Sequence, residues 1–136
     1  SEAAEEEAGE QDRPVSGLTR GVNAGCFGTR GGRLLVVHQR SGSWSLPGGT
    51  GERSESYRRT AERETYEETG YQVTAGALLK VWRNGFRIYR CSIHGGSSGS
   101  RDHHEVSGYA WRSAGELGRM RWRFSGQARR YPSWMR

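Results

Sequence analysis

The sequence predicts a single domain of mixed α and β structure, in which strands form a sheet and helices pack on it. Short apolar runs separated by glycine turns are typical of strands, and one long charged run without proline is typical of a helix. These runs follow the order β-β-α-β-β-β-α. Periodicity alone therefore indicates the α+β class. The 136 residues suffice for one core, and no apolar stretch is long enough to span a membrane.

The first two predicted strands flank a glycine turn. Residues 19–27 hold small and apolar side chains suited to a strand, and residues 33–38 (RLLVVH) form an apolar run of the buried type. Gly31-Gly32 supplies the turn between them. Residues 39–44 form a polar connection toward the long helix.

The later elements are marked by turn and cap residues. In chain order they are strands at 73–82, 86–93 and 105–111, a short helix at 113–117 and a last helix at 124–134. Asn84-Gly85 is a hairpin signal between the first two of these strands. Ser113 caps the short helix. Ser125 begins the last helix and Pro132 ends it.

The long helix is predicted from about Ser54 to Thr69. Either Ser54 or Ser56 is suited to the N-cap, where a hydroxyl accepts from an amide of the first turn. Gly70 follows the last turn, and glycine takes the left-handed conformation that ends a helix without steric cost.

Three glutamates of this helix converge on one face. Glu64, Glu67 and Glu68 stand at i, i+3 and i+4, on the side that also carries Tyr57 and Ala61. Like charges at this spacing repel, and a cation between them removes the repulsion. Carboxylates and backbone carbonyls are the oxygen ligands that Mg²⁺ prefers. The alternative is a solvated charged helix, but none of the three glutamates has a basic residue three or four positions later.

The residues around this helix follow a fixed spacing, G-x5-E-x7-R-E-U-x-E-E-x-G-U, where U is bulky and apolar. The matching positions are Gly49, Glu55, Arg63, Glu64, Glu67, Glu68 and Gly70. Thr65 and Tyr71 occupy the two U positions and depart from the pattern, which bears on how the helix packs. The pattern resembles the Nudix hydrolase box, and the preceding WSLPGG resembles the usual lead-in of that family.

This resemblance implies an α/β fold, the Nudix-type α/β/α sandwich with a mixed β-sheet. It also implies hydrolysis of a diphosphate linked to another group X, in which divalent cations neutralise the diphosphate oxygens while water attacks phosphorus. The implied ligands of Mg²⁺, or of Mn²⁺, are Glu64, Glu67 and Glu68, with a backbone carbonyl of Gly48 or Gly49.

The resemblance assigns further roles to residues beside the ligands. Arg63 lies off the carboxylate face of the helix, and by analogy it pairs with Glu55 and steers Glu64. Glu64 and Arg63 are therefore candidate catalytic residues. The glutamates act either as base and ligands together, or as ligands only, with the general base elsewhere in the chain; both arrangements occur in the family.

A general base outside the helix has few candidates. Asp102, Glu105 and Glu116 are the acids of the domain that lie outside the helix region. Glu105 stands where a loop enters a strand and resembles the remote glutamate of the family, so we predict it as the third catalytic residue; the alternative is a plain charge at a loop end. His103 and His104 are more typical of exposed loop residues than of catalysts.

Charge divides the chain into two parts. Of its 15 acidic and 21 basic residues, residues 1–13 hold six and one, which leaves 9 and 20 in residues 14–136. We predict that residues 1–13 are a disordered acidic tail and that residues 14–136 form the single domain. Arginine suits bidentate phosphate contacts, so the basic domain favours a phosphate-bearing small molecule, such as a nucleotide. Genome composition is the alternative explanation for the arginines.

The C-terminal segment after Leu117 contains six arginines and no acid, interleaved with Trp122, Phe124, Tyr131 and Trp134. Arginines and aromatic rings are the groups that bind RNA. The alternative, which we favour, is an amphipathic helix that packs on the sheet.

The chain has two cysteines, Cys26 and Cys91, which lie 65 residues apart in the sequence. In the Nudix sheet the corresponding strands run side by side, so a disulfide is one reading, and two buried thiols are the other. A cytoplasmic enzyme is the default expectation. A disulfide and the absence of an initial Met would instead agree with an exported or periplasmic protein.

The leading hypothesis is a Mg²⁺-dependent Nudix pyrophosphohydrolase acting on a nucleoside diphosphate linked to a group X, or on a nucleoside triphosphate. Two alternatives remain: an RNA 5′-end pyrophosphohydrolase, suggested by the basic C-terminal segment, and a non-catalytic nucleotide sensor. The converging glutamates disfavour the sensor, because a pure binding protein does not require them.

Overall fold

Eight strands and four helices occur in the part of the chain that this computed structural model describes, residues 23–97, 99 and 106–136. The strands are β1 (Asn23–Phe27), β2 (Thr29–Arg30), β3 (Arg33–Gln39), β4 (Trp44–Ser45), β5 (Gly48–Thr50), β6 (Val73–Val81), β7 (Arg87–Ile93) and β8 (Val106–Ser113). The helices are α1 (Tyr57–Thr69), α2 (Ala114–Leu117), α3 (Ser125–Ala128) and α4 (Tyr131–Trp134). The predicted acidic tail 1–13 lies outside the described residues, as do Asp102, His103, His104 and Glu105.

The strands divide into two sheets. The first has the order β5-β1-β7-β6, and in the second β3 pairs with β2, β4 and β8. The pairing of β1 with β7 is parallel and the other pairings are antiparallel, so the predicted mixed character is confirmed. Sequence analysis missed the short strands β2, β4 and β5, because two or three residues carry too little periodicity to be recognised.

Both faces of the first sheet are buried. On one side a cluster joins it to the second sheet and the C-terminal helices; its buried members are Phe27, Leu34, Val36, Leu46, Ile88, Leu117, Ala128 and Tyr131. On the other side a cluster joins it to α1; its buried members are Ala24, Cys26, Ala61, Ala75, Tyr89 and Cys91. Neighbouring residues of a strand point to opposite faces, so β1 and β7 each contribute to both clusters. This layering confirms the predicted α/β sandwich.

Helix α1 begins two to three residues later than predicted. Ser56 is its N-cap and accepts from the amide of Arg59, whereas Ser54 has a φ of 64° and is not helical. Gly70 ends the helix in the left-handed conformation, with φ at 80°, as predicted.

The prediction of one continuous C-terminal helix is wrong. The segment forms two separate turns, α3 and α4, and Pro132 stands in the first turn of α4. Proline has no N–H to donate to the carbonyl four residues earlier, so a helix cannot run through this position unbroken. Tyr131 is buried and its ring contacts those of Phe27, Trp122 and Trp134. The contacts of these rings belong to the core. None of the described helices has the length and apolar character needed to cross a membrane.

Cys26 of β1 and Cys91 of β7 form a disulfide, with their Cα atoms 5.5 Å apart. The bond joins the parallel pair of strands inside the cluster under α1. It closes a sequence separation of 65 residues, which in the unfolded chain removes many conformations.

The disulfide predicts a strong dependence of stability on reducing agent. In the chain-entropy model, a loop of this size contributes about 4 kcal/mol to the free energy of unfolding. Denaturant unfolding with and without a dithiol should differ by a quantity of that order. The Cys26→Ala/Cys91→Ala double variant is the control and should not respond to the dithiol. Two reactive thiols in the denatured, unreduced protein would contradict the bridge.

Thr65 predicts a stabilising substitution. Its side chain is fully buried, and its hydroxyl has no hydrogen-bond partner among the described residues. A buried hydroxyl without a partner costs roughly 1–3 kcal/mol, so Thr65→Val should raise the free energy of unfolding by about 1 kcal/mol.

The matched control is Thr69→Val, one turn later in the same helix. The Thr69 hydroxyl donates to the carbonyl of Thr65 at 2.7 Å and accepts from the amide of Tyr71 at 3.1 Å. Its loss should lower the free energy of unfolding. Denaturant unfolding of both variants checks the opposite signs, and equal destabilisation by the two would show that Thr65 is not an unsatisfied position.

Candidate functional site

A polar cavity of about 560 Å³ lies beside the strand β5 and the helix α1. Among its lining residues are Gly48 and Gly49 of β5 and Glu64 and Glu68 of α1. The size is that of a small-molecule site, which typically spans roughly 300–1,000 Å³. The sequence motif and the cavity therefore coincide at four of the predicted site residues.

Other groups approach the backbone closely at both glycines of this strand, a side chain at Gly49 and the neighbouring backbone at Gly48. A Cβ atom at Gly49 would lie 2.5 Å from Cδ of Glu64, so the carboxylate occupies the space of a side chain. A Cβ atom at Gly48 would lie 2.7 Å from Cα of Gly25 on the neighbouring strand. The Gly48 amide donates to Oε1 of Glu68 at 2.9 Å. Both carboxylates are thus seated against the backbone of β5.

Glu68 is the more deeply buried of these two carboxylates. It is 2% exposed, against 14% for the side chain of Glu64. A buried carboxylate is costly unless hydrogen bonds or a cation compensate its charge. The Gly48 amide supplies one such hydrogen bond.

The guanidinium of Arg63 bonds three glutamates, of which only Glu64 lines the cavity. It donates to Glu55 through Nε at 2.8 Å and Nη2 at 3.0 Å, as the resemblance implied. Nη2 also donates to the carbonyl of Thr50, and Nη1 to Oε1 of Glu64 at 3.0 Å and of Glu67 at 2.5 Å. Arg63 therefore links α1, β5 and the loop that carries Glu55.

Helical register placed Arg63 off the carboxylate face, and its side chain reaches further than the register indicates. Its Cα lies on the other side of the helix, but its long side chain bends back over the face. It forms an i,i+4 pair with Glu67, in which the base precedes the acid. A basic residue four positions before a glutamate can also pair with it, so the absence of basic residues after Glu67 did not exclude a pair.

Glu55 has a perturbed ionisation. Burial on its own would raise the pKa of this carboxyl, but hydrogen bonds from Arg63, from the Glu52 amide and from the Thr60 hydroxyl outweigh it and lower the pKa. In return, the hydrogen bond to Glu55 raises the pKa of Arg63. The pair is therefore fully charged in the folded protein at neutral pH.

The structure brings some predicted residues together and leaves others apart. Glu64, Glu68, Gly48 and Gly49 share the cavity, whereas Glu67 does not line it and its side chain is 39% exposed. The predicted catalytic residue Glu105 lies outside the described residues. Of the three candidate acids outside the helix region, Glu116 is the one within the described residues; it is exposed and caps α2 by accepting from the amide of Ser113.

The donor chemistry suits a hard divalent cation, because carboxylates and the carbonyls of a glycine strand are all oxygen ligands. The glycine cradle that seats Glu64 also holds this carboxylate close to the strand. Within the described ranges, however, no three acidic, histidine or cysteine side chains are grouped around one point. Two of the three predicted ligands face the cavity, and the third is held by Arg63.

Sequence reasoning missed the other walls of the cavity. Asn84 and Phe86 come from the β6–β7 hairpin, and Arg123, Phe124 and Gln127 come from the C-terminal segment. The abundance of arginine and aromatic residues in that segment was the sequence signal that could have indicated a binding role for it. Only tertiary packing, however, decides which of them reach the cavity.

Comparison with known proteins identifies the family of this sequence and fold. The NUDIX domain model matches residues 19–135. A MutT-like protein of Streptomyces ambofaciens is 33% identical over 100 residues, which cover 69% of this chain and 64% of that protein. A putative 8-oxo-dGTP diphosphatase of Bacillus subtilis is 37% identical over 89 residues, which cover 62% of this chain and 59% of that protein. The chain thus spans less than two thirds of the length of these relatives.

A solved structure shows the same fold. A NUDIX hydrolase from Nitrosomonas europaea superposes with a TM-score of 0.72 at 18% identity, covering 82% of this chain and 87% of that one. At this identity the likeness concerns the fold alone.

The Arg63–Glu55 pair predicts a pH-dependent contribution to stability. Glu55→Gln should lower the free energy of unfolding by about 1–2 kcal/mol at pH 7, because Arg63 loses its charged partner. The folded pKa of Glu55 is lowered below its ordinary value of 4.5. The contribution is therefore complete above the unfolded pKa and is lost as pH falls through the folded pKa.

Unfolding of wild type and Glu55→Gln between pH 7 and pH 3 measures this contribution. The control is Glu52→Gln, which removes an equal charge from a side chain that is 70% exposed and 3.6 Å from Arg63. It should change stability by less than about 0.5 kcal/mol. If the difference in free energy of unfolding between wild type and Glu55→Gln grew on acidification, the predicted sign would be contradicted.

Proposed function

Because the chain belongs to the NUDIX family, we propose that it hydrolyses a diphosphate linkage in a nucleoside diphosphate joined to a group X, or in a nucleoside triphosphate, with a divalent cation such as Mg²⁺ or Mn²⁺. The observation that carries this proposal is the seating of the Glu64 and Glu68 carboxylates on the Gly48-Gly49 backbone of a polar cavity. The relative from Bacillus subtilis is named for a nucleoside triphosphate, which supports the substrate class.

The residues that would hold the cation are Glu64 and Glu68, a carbonyl of Gly48 or Gly49, and Glu67 if it exchanges its pairing with Arg63. When bound, a divalent cation supplies neutralisation of the diphosphate oxygens and a more acidic water. The side chains of the protein orient the ligands and contact the phosphates.

Arg63 positions Glu64 through the bond from Nη1, and Glu55 in turn fixes the guanidinium. A carboxylate held in this way keeps its orientation without losing its charge, which suits either a ligand or a proton acceptor. Arg123 lines the same cavity and offers a phosphate contact from the opposite segment of the chain. Glu105 remains the proposed remote acid.

The central prediction is catalytic. Glu64→Gln should lower kcat by on the order of 10²-fold or more, because an amide is neither a strong ligand of a hard cation nor a base. The assay measures release of nucleoside monophosphate, phosphate or pyrophosphate from nucleoside triphosphates, nucleoside diphosphate sugars and dinucleoside polyphosphates in the presence of Mg²⁺.

Glu62→Gln is the matched control, since it makes the same change on the same helix outside the cavity. Its carboxylate accepts from the Ala75 amide, a role that the amide oxygen of glutamine also fills. This variant should turn over at close to the wild-type rate. Near-normal turnover by Glu64→Gln would refute its assignment, and nucleotide binding without any turnover by wild type would identify a binding protein.

A further inference from the structure

Thr60 is a buried polar residue on the helix of the candidate site, and the proposed reaction leaves it without a role. It lies on α1 four residues before Glu64 and seven before Glu67, so the three side chains share one face of the helix. Its exposure is 0%. A hydroxyl that is removed from water needs a hydrogen-bond acceptor. The identity of that acceptor therefore indicates what Thr60 does.

The Thr60 hydroxyl lies within reach of two acceptors, the Glu55 carboxylate at 2.8 Å and the carbonyl of Ser56 at 3.0 Å. One hydroxyl has one proton to donate, so these two bonds compete. The Ser56 carbonyl already accepts from the amide of Thr60. A charged acceptor also makes the stronger hydrogen bond. The hydroxyl therefore donates to Glu55.

The Glu55 carboxylate accepts from donors on several sides. Oε2 accepts from Nε of Arg63, and Oε1 accepts from Nη2 of Arg63, from the Glu52 amide and from the Thr60 hydroxyl. The two bonds with the arginine form a parallel pair, which fixes the plane of the guanidinium. The other two donors fix the carboxylate itself. Glu52 is exposed and precedes the helix, whereas Thr60 is buried within it, so Thr60 is the more rigid of these two supports.

The orientation of Arg63 matters because all five of its N–H groups are engaged. Nε and Nη2 bond Glu55, and Nη2 also bonds the carbonyl of Thr50. Nη1 bonds Glu64 and Glu67. A guanidinium is planar and rigid, so a rotation at the edge that faces Glu55 also moves the nitrogen that holds Glu64. A displaced Glu55 therefore displaces the Glu64 carboxylate as well.

We propose that Thr60 is a positioning residue of the site. Its hydroxyl holds Glu55 in the orientation that bonds Arg63 through both oxygens, and this pair in turn orients Glu64. The inference rests on the proposed function, in which Glu64 acts at the diphosphate. Thr60 does not line the cavity, so its loss should affect kcat rather than KM. A misplacement of about 1 Å in a reacting group can cost on the order of 10²-fold in rate.

Thr60→Val tests the proposal, because valine has the shape of threonine without the hydroxyl. With Mg²⁺ and a nucleotide that wild type hydrolyses, it should lower kcat by about tenfold and leave KM within about twofold. Thr60→Ser keeps the hydroxyl and should restore most of kcat. The matched control is Thr65→Val, which removes a buried hydroxyl that has no partner among the described residues. It should leave kcat unchanged.

A double variant shows whether Thr60 acts through Glu55. In a Glu55→Ala background, Thr60→Val should change kcat little further, because the hydroxyl then has no carboxylate to hold. A second tenfold loss in that background would overturn the proposal. Wild-type kcat in the single variant Thr60→Val of an active enzyme would overturn it too.

A measurement without substrate or metal separates this proposal from the proposed function. NMR of isotopically labelled protein follows the exchange with water of the Arg63 Nε proton, which Glu55 holds. This exchange should be several-fold faster in Thr60→Val than in wild type or Thr60→Ser. If wild type hydrolyses no nucleotide but the exchange is accelerated, the hydrolase falls and the positioning of Arg63 by Thr60 stands. An unchanged exchange rate in Thr60→Val overturns the positioning role, whether or not wild type is active.

Discussion

The guanidinium of Arg63 is the interaction on which the candidate site depends. It bonds Glu55, Glu64 and Glu67 and the carbonyl of Thr50, so one side chain joins α1 to the strand β5 and to the loop between them. The carboxylates of Glu64, Glu67 and Glu68, which lie within about one and a half turns of α1, would otherwise repel one another. The arginine offsets this repulsion in part by bonding Glu64 and Glu67, whereas Glu68 accepts from the Gly48 amide.

The second constraint is the close approach of backbone at β5. Gly25 and Gly48 face each other across β1 and β5, and Gly49 leaves room for the carboxylate of Glu64. These contacts require that β1 stay in register, and β1 is fixed by its burial between two core clusters and by the disulfide to β7. The central strands β1 and β7 of the first sheet thus position the site, while the hairpin at Asn84 and the C-terminal turns enclose it.

Local sequence signals predicted the parts of this structure that local interactions determine. Ser56 and Gly70 terminate α1 through hydrogen bonding and backbone conformation at the helix ends, both of which depend on neighbouring residues. The glutamate face followed from helical periodicity. The reach of Arg63 did not, because a side chain with four rotatable bonds is not confined to the position of its Cα. The walls formed by Arg123, Phe124 and Gln127 likewise depend on how distant segments pack.

The charged residues that line the polar cavity bear on what it can bind. It is lined by two carboxylates and by Arg123, a combination that suits a cation together with phosphates. Under the proposed function, a cation in the cavity would meet Glu64 and Glu68 there, and Glu67 would become a ligand only in exchange for its bond to Arg63. Under that proposal, Arg63 would set both the orientation of Glu64 and the energetic cost of recruiting Glu67 as a ligand.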